Sequence, residues 1–156
     1  MPSHFQNAFL LYDLGGGGDG RVWLGSTMKG RACVLKFSND KSSLELEEKV
    51  WNSVRPECKV KVKRLNDRWA LVMPWVKPCT EQEFQDKDIR KAIEIAIKTL
   101  ADAGYTHDDL SLRHIGLCRK NSKIEAVLFD FARVSKIQSD EQRIDAISNM
   151  KGELKL

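Results

Sequence analysis

The amino-acid sequence predicts an α+β fold in two parts, and three features carry that prediction. Five short runs in the first half place apolar residues as strands do, with one stretch of helical spacing among them. The longest helical spacing lies in the second half, at Ile89, Ile93, Ala96, Ile97 and Leu100. Between the halves, Pro74-Trp75-Val76-Lys77-Pro78-Cys79-Thr80 reads as a semi-rigid linker rather than an element, a hinge over residues 74–80. At 156 residues, folding removes roughly 70% of the unfolded chain's surface from water, enough for a core without disulfide or metal staples. A chain that is 42% hydrophobic is also not a disordered or collagen-like one.

Each element has a local cause. Residues 8–14 and 21–25 read as strands on either side of a glycine cluster, and residues 26–30 turn into a third strand over 31–38. Ser38, Asn39 and Asp40 offer caps for a helix over 41–54, whose Leu44, Val50, Trp51 and Val54 form one apolar face; Arg55-Pro56 stops it. Lys59-Val60-Lys61-Val62-Lys63 alternates, Asn66-Asp67 turns, and Trp69 to Met73 is an apolar strand. The expectation is a five-stranded antiparallel sheet carrying one helix. In the second half, Thr80 and Glu83 form a capping-box pattern, Asp88 starts the long helix and Gly104 ends it. Residues 105–114 read as a polar loop, 115–118 and 126–129 as short strands turning at Lys120-Asn121-Ser122. Ser139 with Gln142 starts a last helix that turns Ile144 and Ile147 inward.

Four places carry chemistry. Gly15-Gly16-Gly17-Gly18-Asp19-Gly20-Arg21-Val22 contains G-x-G-x-x-G-x-V, and glycine lets backbone amides approach phosphate oxygens that a Cβ would fend off. No helix follows at once and no Gly-Lys-Ser/Thr closes the run, so neither a dinucleotide fingerprint nor a Walker loop applies; a plain hairpin linker is the alternative. Lys36 is a charge inside the apolar run Cys33-Val34-Leu35-Lys36-Phe37, and Glu45, Glu47 and Glu48 on the next helix offer it a counter-ion; the bland reading is a lysine reaching water. His107, Asp108, Asp109 and His114 concentrate ionisable groups in one loop, and Asp130 ends the apolar run Val127-Leu128-Phe129. Carboxylates there suit a metal-bound triphosphate, or are simply turn and strand-end residues.

Taken in order over about residues 8–135, these motifs resemble the protein-kinase-like superfamily: a glycine loop, a strand lysine, a helix glutamate, an H-R-D-L-type loop and a D-F-G-type turn at Asp130-Phe131-Ala132. The resemblance implies a bilobal protein-kinase-like fold, with residues 1–73 as N-lobe, 74–80 as hinge and 81–156 as a minimal, mainly helical C-lobe. It implies ATP with magnesium or manganese as cofactors. Gly15, Gly17, Gly20 and Val22 would cover the nucleotide, Lys36 would hold its phosphates and pair with Glu47, with Glu48 as alternative, and Met73 and Trp75 would belong to the adenine-reading hinge. Asp109 would orient or deprotonate the acceptor hydroxyl, and Asp130 and His114 would face the metal.

Departures from the family pattern qualify what it implies. Asp108 stands for the arginine of H-R-D, His114 for the metal-binding asparagine, and Ala132 for the glycine of D-F-G. Only 24 residues follow Ala132, so the activation segment and helical platform of ordinary protein kinases have no counterpart. The closest likeness is to minimal, atypical kinases such as the RIO type or small kinase-like proteins of fungi and oomycetes.

The leading expectation is therefore a phosphotransferase that moves the γ-phosphate of ATP to an unknown acceptor. A pseudokinase that binds nucleotide or scaffolds a protein partner is the alternative. Nucleic-acid binding, suggested by Lys59, Lys61, Lys63 and Arg64, is disfavoured, because those lysines alternate with valines on a solvated face and the net charge is only +4. No run approaches the about 18 apolar residues of a membrane-spanning helix. Cys33, Cys58, Cys79 and Cys118 are scattered without a C-x-x-C pair, Cys33 and Cys118 in apolar runs that suit burial. The expected setting is a reducing, cytoplasmic or nuclear compartment, with a secreted effector trimmed of its signal as the other reading.

Overall fold

Asp40 opens helix α1, Lys41–Val54, by accepting a hydrogen bond from the Ser42 amide at 2.9 Å, and the Arg55 amide closes it onto the Trp51 carbonyl at 2.8 Å. The structure is a computed structural model that describes residues 4–5, 8–17, 20–27, 29–65 and 67–156, with side chains from Asp13 onward. Gly18 and Asp19 of the glycine run, Met28 of the following turn, and Asn66 of the expected 66–67 turn lie outside the described residues. The chain is α+β and divides into two compact units, Met1–Trp75 and Val76–Leu156.

In the first unit, β1 (His4–Phe5), β2 (Ala8–Gly17), β3 (Gly20–Thr27), β4 (Ala32–Ser38), β5 (Lys61–Leu65) and β6 (Arg68–Pro74) form one antiparallel sheet in the order β1-β2-β3-β4-β6-β5. The five expected strands are all present, and His4–Phe5 adds a short strand beside β2. Alternation sorts the sheet into two faces. Cys33, Leu35, Phe37, Leu65 and Ala70 make one buried cluster, with Trp23 and Val72 packed on it. Lys36 belongs to the other face, in register with Val22 on β3 and Leu71 on β6.

Pairing continues into the glycines, where Gly15 opposes Val22 and Gly16 opposes Arg21, so the cluster is strand before it is loop. Gly20 requires its identity: its φ is +131° and a Cβ would lie 2.2 Å from the Phe37 carbonyl oxygen. Arg21 Nε donates to Asp13 Oδ2 at 2.8 Å and the Gly15 amide to Asp13 Oδ1 at 2.8 Å, tying the two strands where the glycines begin.

In the second unit, α2 spans Lys87–Asp102 and is capped by Asp86, whose carboxylate accepts from Asp88 N at 2.7 Å; the cap thus precedes the Asp88 that the sequence favours. Ile89, Ile93, Ile97 and Leu100 are buried as the spacing predicts. Thr80 and Glu83 do form the reciprocal capping box, at 3.0 and 3.1 Å. Strands β9 (Ile115–Lys120) and β10 (Lys123–Leu128) make a hairpin whose Asn121 and Ser122 both hold positive φ, as a two-residue primed turn requires.

Four expectations need correction. Residues 74–80 are not a bare linker: Pro74 completes β6, and Lys77–Pro78 is a strand, β7, paired with β9. Proline is tolerated there because β7 is an edge. The pairing also needs Gly116, where a Cβ would meet Val76 Cγ1 at 2.5 Å. The 105–114 loop contains β8 (Tyr105–His107), paired with β11 (Val134–Lys136), because Tyr105 and His107 alternate inward while Thr106 does not. In α3, Asp140–Leu154, capped by Ser139, the buried stripe is Ala146, Met150 and Leu154; Ile144, about 200° of helix turn from Ala146, is 62% exposed. Cys118 is half-buried, whereas Cys79, which follows β7, is buried, as is Cys33.

The same side chain on one helix should therefore read out two environments. Ile93→Ala, at a site with no solvent exposure, should lower unfolding free energy by about 2–5 kcal/mol. Ile95→Ala, at 60% exposure, should stay within about 0.5 kcal/mol of wild type. Urea denaturation followed by circular dichroism checks the contrast.

Candidate functional site

Among the described residues of the first unit, Lys36 and Glu47 form a buried ion pair. Lys36 Nζ lies 2.7 Å from Glu47 Oε1, with side chains only 7% and 2% exposed. Strand alternation turns Lys36 away from the cluster of Leu35 and Phe37, and helical spacing places Glu47 on the same stripe as the buried Leu44 and Trp51. The sequence leaves Glu47 and Glu48 open as partners, and a turn of 100° separates them on α1. Glu48 faces elsewhere, its Oε2 accepting the Val62 amide. Both charges have left water together, so each depends on the other for compensation.

The second unit gathers four of the sequence-predicted ionisable residues. His107, 2% exposed, donates from Nε2 to the Phe129 carbonyl at 3.1 Å and accepts the Asp109 amide on Nδ1 at 3.2 Å. Those partners assign the neutral tautomer, and burial pushes the pKa of His107 down. His114 closes the turn Leu112–His114; its Nδ1 donates to the Asp109 carbonyl at 2.8 Å and its Nε2 meets Asp130 Oδ2 at 3.1 Å. The Asp130 hydrogen bond raises the pKa of His114, against burial and the nearby Arg113, whose Nε is 3.3 Å from Nε2. The two imidazoles stack with centroids 5.5 Å apart. One ring is thus held neutral beside another that favours its proton.

Asp109 is anchored through its backbone at both ends of this network, while its half-exposed carboxylate lies 3.5 Å from Arg113 Nη2. Asp130 sits at φ +59°, a left-handed conformation uncommon outside glycine, and its carboxylate is 40% exposed. Phe131 is buried, tilted against His107 at 6.1 Å between centroids. Asp108 binds the β11 side: its amide donates to Arg133 O at 2.8 Å and its carboxylate accepts from the Ser135 hydroxyl.

The hinge residues and glycines are placed more simply. Met73 pairs with Val34 inside the sheet, and Trp75 is 46% exposed. Gly15, Gly17, Gly20 and Val22 all lie in the β2–β3 ladder. Sequence reasoning did not single out Arg113, whose contacts lie within its own turn, or Ser135, whose contact with Asp108 arises only when β8 and β11 meet. As a place for a divalent cation, Asp130 offers one hard oxygen donor of the kind magnesium takes alongside phosphates and water. His114 does not diverge from Asp130 toward a shared point; it hydrogen-bonds the carboxylate, so in this geometry it is a partner of Asp130 rather than a second ligand. Among the described residues, no group of three His, Cys, Asp or Glu could by itself hold a metal ion.

The chain belongs to the family of unknown function DUF5898, which it matches over residues 13–118. That span takes in Lys36, Glu47, Asp109 and His114 and ends before Asp130. No curated protein matches the chain.

Two measurements probe these groups. Glu47→Ala leaves the Lys36 ammonium without its carboxylate and should cost about 3–5 kcal/mol of stability in chemical denaturation. The histidines should bracket a stability optimum near neutrality. His107, with a lowered folded pKa, contributes fully above its ordinary value of about 6.5 and loses that contribution as pH falls through the folded value. His114, with a raised folded pKa, contributes fully below about 6.5 and loses it as pH rises through the folded value. His114→Asn should flatten the alkaline limb of urea midpoints and spare the acid limb; an unchanged alkaline limb would refute the assignment.

Proposed function

We propose that the protein is an ATP-binding phosphotransferase of the protein-kinase-like type, which transfers the γ-phosphate to an acceptor hydroxyl in the presence of magnesium or manganese. The observation that carries the reading is the buried Lys36–Glu47 pair on a strand and helix that follow a glycine-rich hairpin. A globular unit gains little stability from burying such a pair instead of apolar side chains, so a functional demand on the ammonium explains it better than stability does. In this reading the bilobal kinase-like arrangement assigns residues 1–73, 74–80 and 81–156 to N-lobe, hinge and reduced C-lobe.

The division of labour follows from the side chains. Lys36 neutralises the α- and β-phosphates, held extended by Glu47. The glycines of the β2–β3 hairpin leave the backbone open to phosphate oxygens. Asp109, fixed through His107 and His114, orients the acceptor hydroxyl and takes its proton. Asp130 would hold a divalent ion, which would supply charge neutralisation at the phosphates. The chemistry asks mainly for positioning and electrostatics.

A second reading rests on a specific contact. His114 occupies one oxygen of Asp130, which favours a pseudokinase that binds nucleotide or scaffolds a protein partner without transfer. Thermal-shift titration with ATP and either metal, followed by transfer assays with labelled ATP, separates them. Stabilisation with transfer, lost at least about 100-fold in Asp130→Asn, supports the phosphotransferase. Stabilisation without transfer supports the second reading, and no stabilisation with either metal sinks nucleotide binding altogether.

A further inference from the structure

Helix α1 is tied to the strand side of its own unit by a face that the phosphotransfer reading does not use. Asn52 Oδ1 accepts the Val60 amide at 2.9 Å and its Nδ2 donates to the Val60 carbonyl at 3.1 Å. One turn earlier, Glu48 accepts the Val62 amide. Trp51 Nε1 donates to the Cys58 carbonyl at 2.8 Å. Strand β5 is at the sheet's edge, so Asn52 supplies both bonds that a neighbouring strand would give Val60, and Glu48 the one to the Val62 amide.

Glu48 and Asn52 lie on one stripe of α1, and Glu47 and Trp51 on the next. A rotation that carried Glu47 off Lys36 would have to pull the first stripe from residues 60 and 62. We propose that Asn52 and Glu48 form a latch that holds α1 in the one orientation in which Glu47 meets Lys36, so that the pair exists without any ligand and is not switched by helix rotation. Asn52 is then a positioning residue for the Lys36 ammonium, acting through α1. The inference stands on the first unit's geometry alone and survives if the nucleotide reading fails.

Accessibility of Lys36 to an amine-acylating ester, read by mass spectrometry residue by residue, tests it. Lys61, exposed on β5, is the internal reference, and Glu47→Ala establishes how fast Lys36 reacts without Glu47. The double variant Asn52→Ala/Glu48→Ala should raise Lys36 labelling at least about 10-fold with Lys61 unchanged. Asn52→Asp, which keeps the acceptor for the Val60 amide but not the donor, should fall between. Unchanged Lys36 labelling in a folded double variant whose Val60 and Val62 amides exchange faster would overturn the proposal. Should the double variant not fold, hydrogen exchange on the wild-type chain decides. The amides of Val60 and Val62 should open together with those of α1, and exchange there at least about 100-fold faster than in α1 would equally overturn it.

Discussion

An ammonium and a carboxylate can leave water together only if they arrive together. Removing either from solvent alone costs several kcal/mol, and the cost is recovered only at hydrogen-bonding distance. For Lys36 and Glu47 that condition fixes the phase of a strand and of a helix at once. Moving β4 by one residue would turn Lys36 into the cluster of Leu35, Phe37 and Ala70. Moving α1 by one would present Glu48, which already serves Val62. Much of the first unit can be understood as the scaffolding that this condition demands: Asp40 sets where the helix starts, and the β4–β6 register sets what lies beside the lysine.

The second unit solves a related problem with neutral groups. Its ionisable residues sit on short strands and one-turn helices, which have little rigidity of their own. The stacked histidines provide it, each ring nitrogen spent on a backbone or carboxylate partner. Asp109 is thereby held through its amide and carbonyl, while its half-exposed carboxylate faces Arg113. Asp130 accepts an unfavourable backbone conformation at the end of a buried run, a cost that surrounding packing at Phe131 offsets.

How much of this was legible in the sequence depended on distance along the chain. Local signals held: Asp40 and Arg55-Pro56 bounded α1, Thr80 with Glu83 and Ser139 capped what they should, and the Ile89–Leu100 spacing marked the buried face of α2. Features made by partners far away did not show. Strands β7, β8 and β11 are two or three residues long and exist only because another segment pairs with them, so a proline pair and a polar loop hid them. Ile144 looked like core because isoleucine is apolar, but the phase of α3 is set by Ala146 and Met150. Among the site residues, the lysine and its favoured partner Glu47 were visible in the sequence, whereas setting Glu48 aside required the helix phase. Asn52 gave no signal at all, since a mid-helix asparagine carries meaning only when residue 60 lies beside it.

The closed edge of β5 also bears on how the chain behaves in company. Open strand edges are where folded proteins recruit one another into extended sheets, and lysines alone discourage this only through charge, which salt screens. Here both backbone groups of Val60 and the amide of Val62 are already satisfied from within, and Lys61 and Lys63 add their charge outside. The Asn52 part of that protection is uncharged, so it does not fade with ionic strength as the lysines' repulsion does.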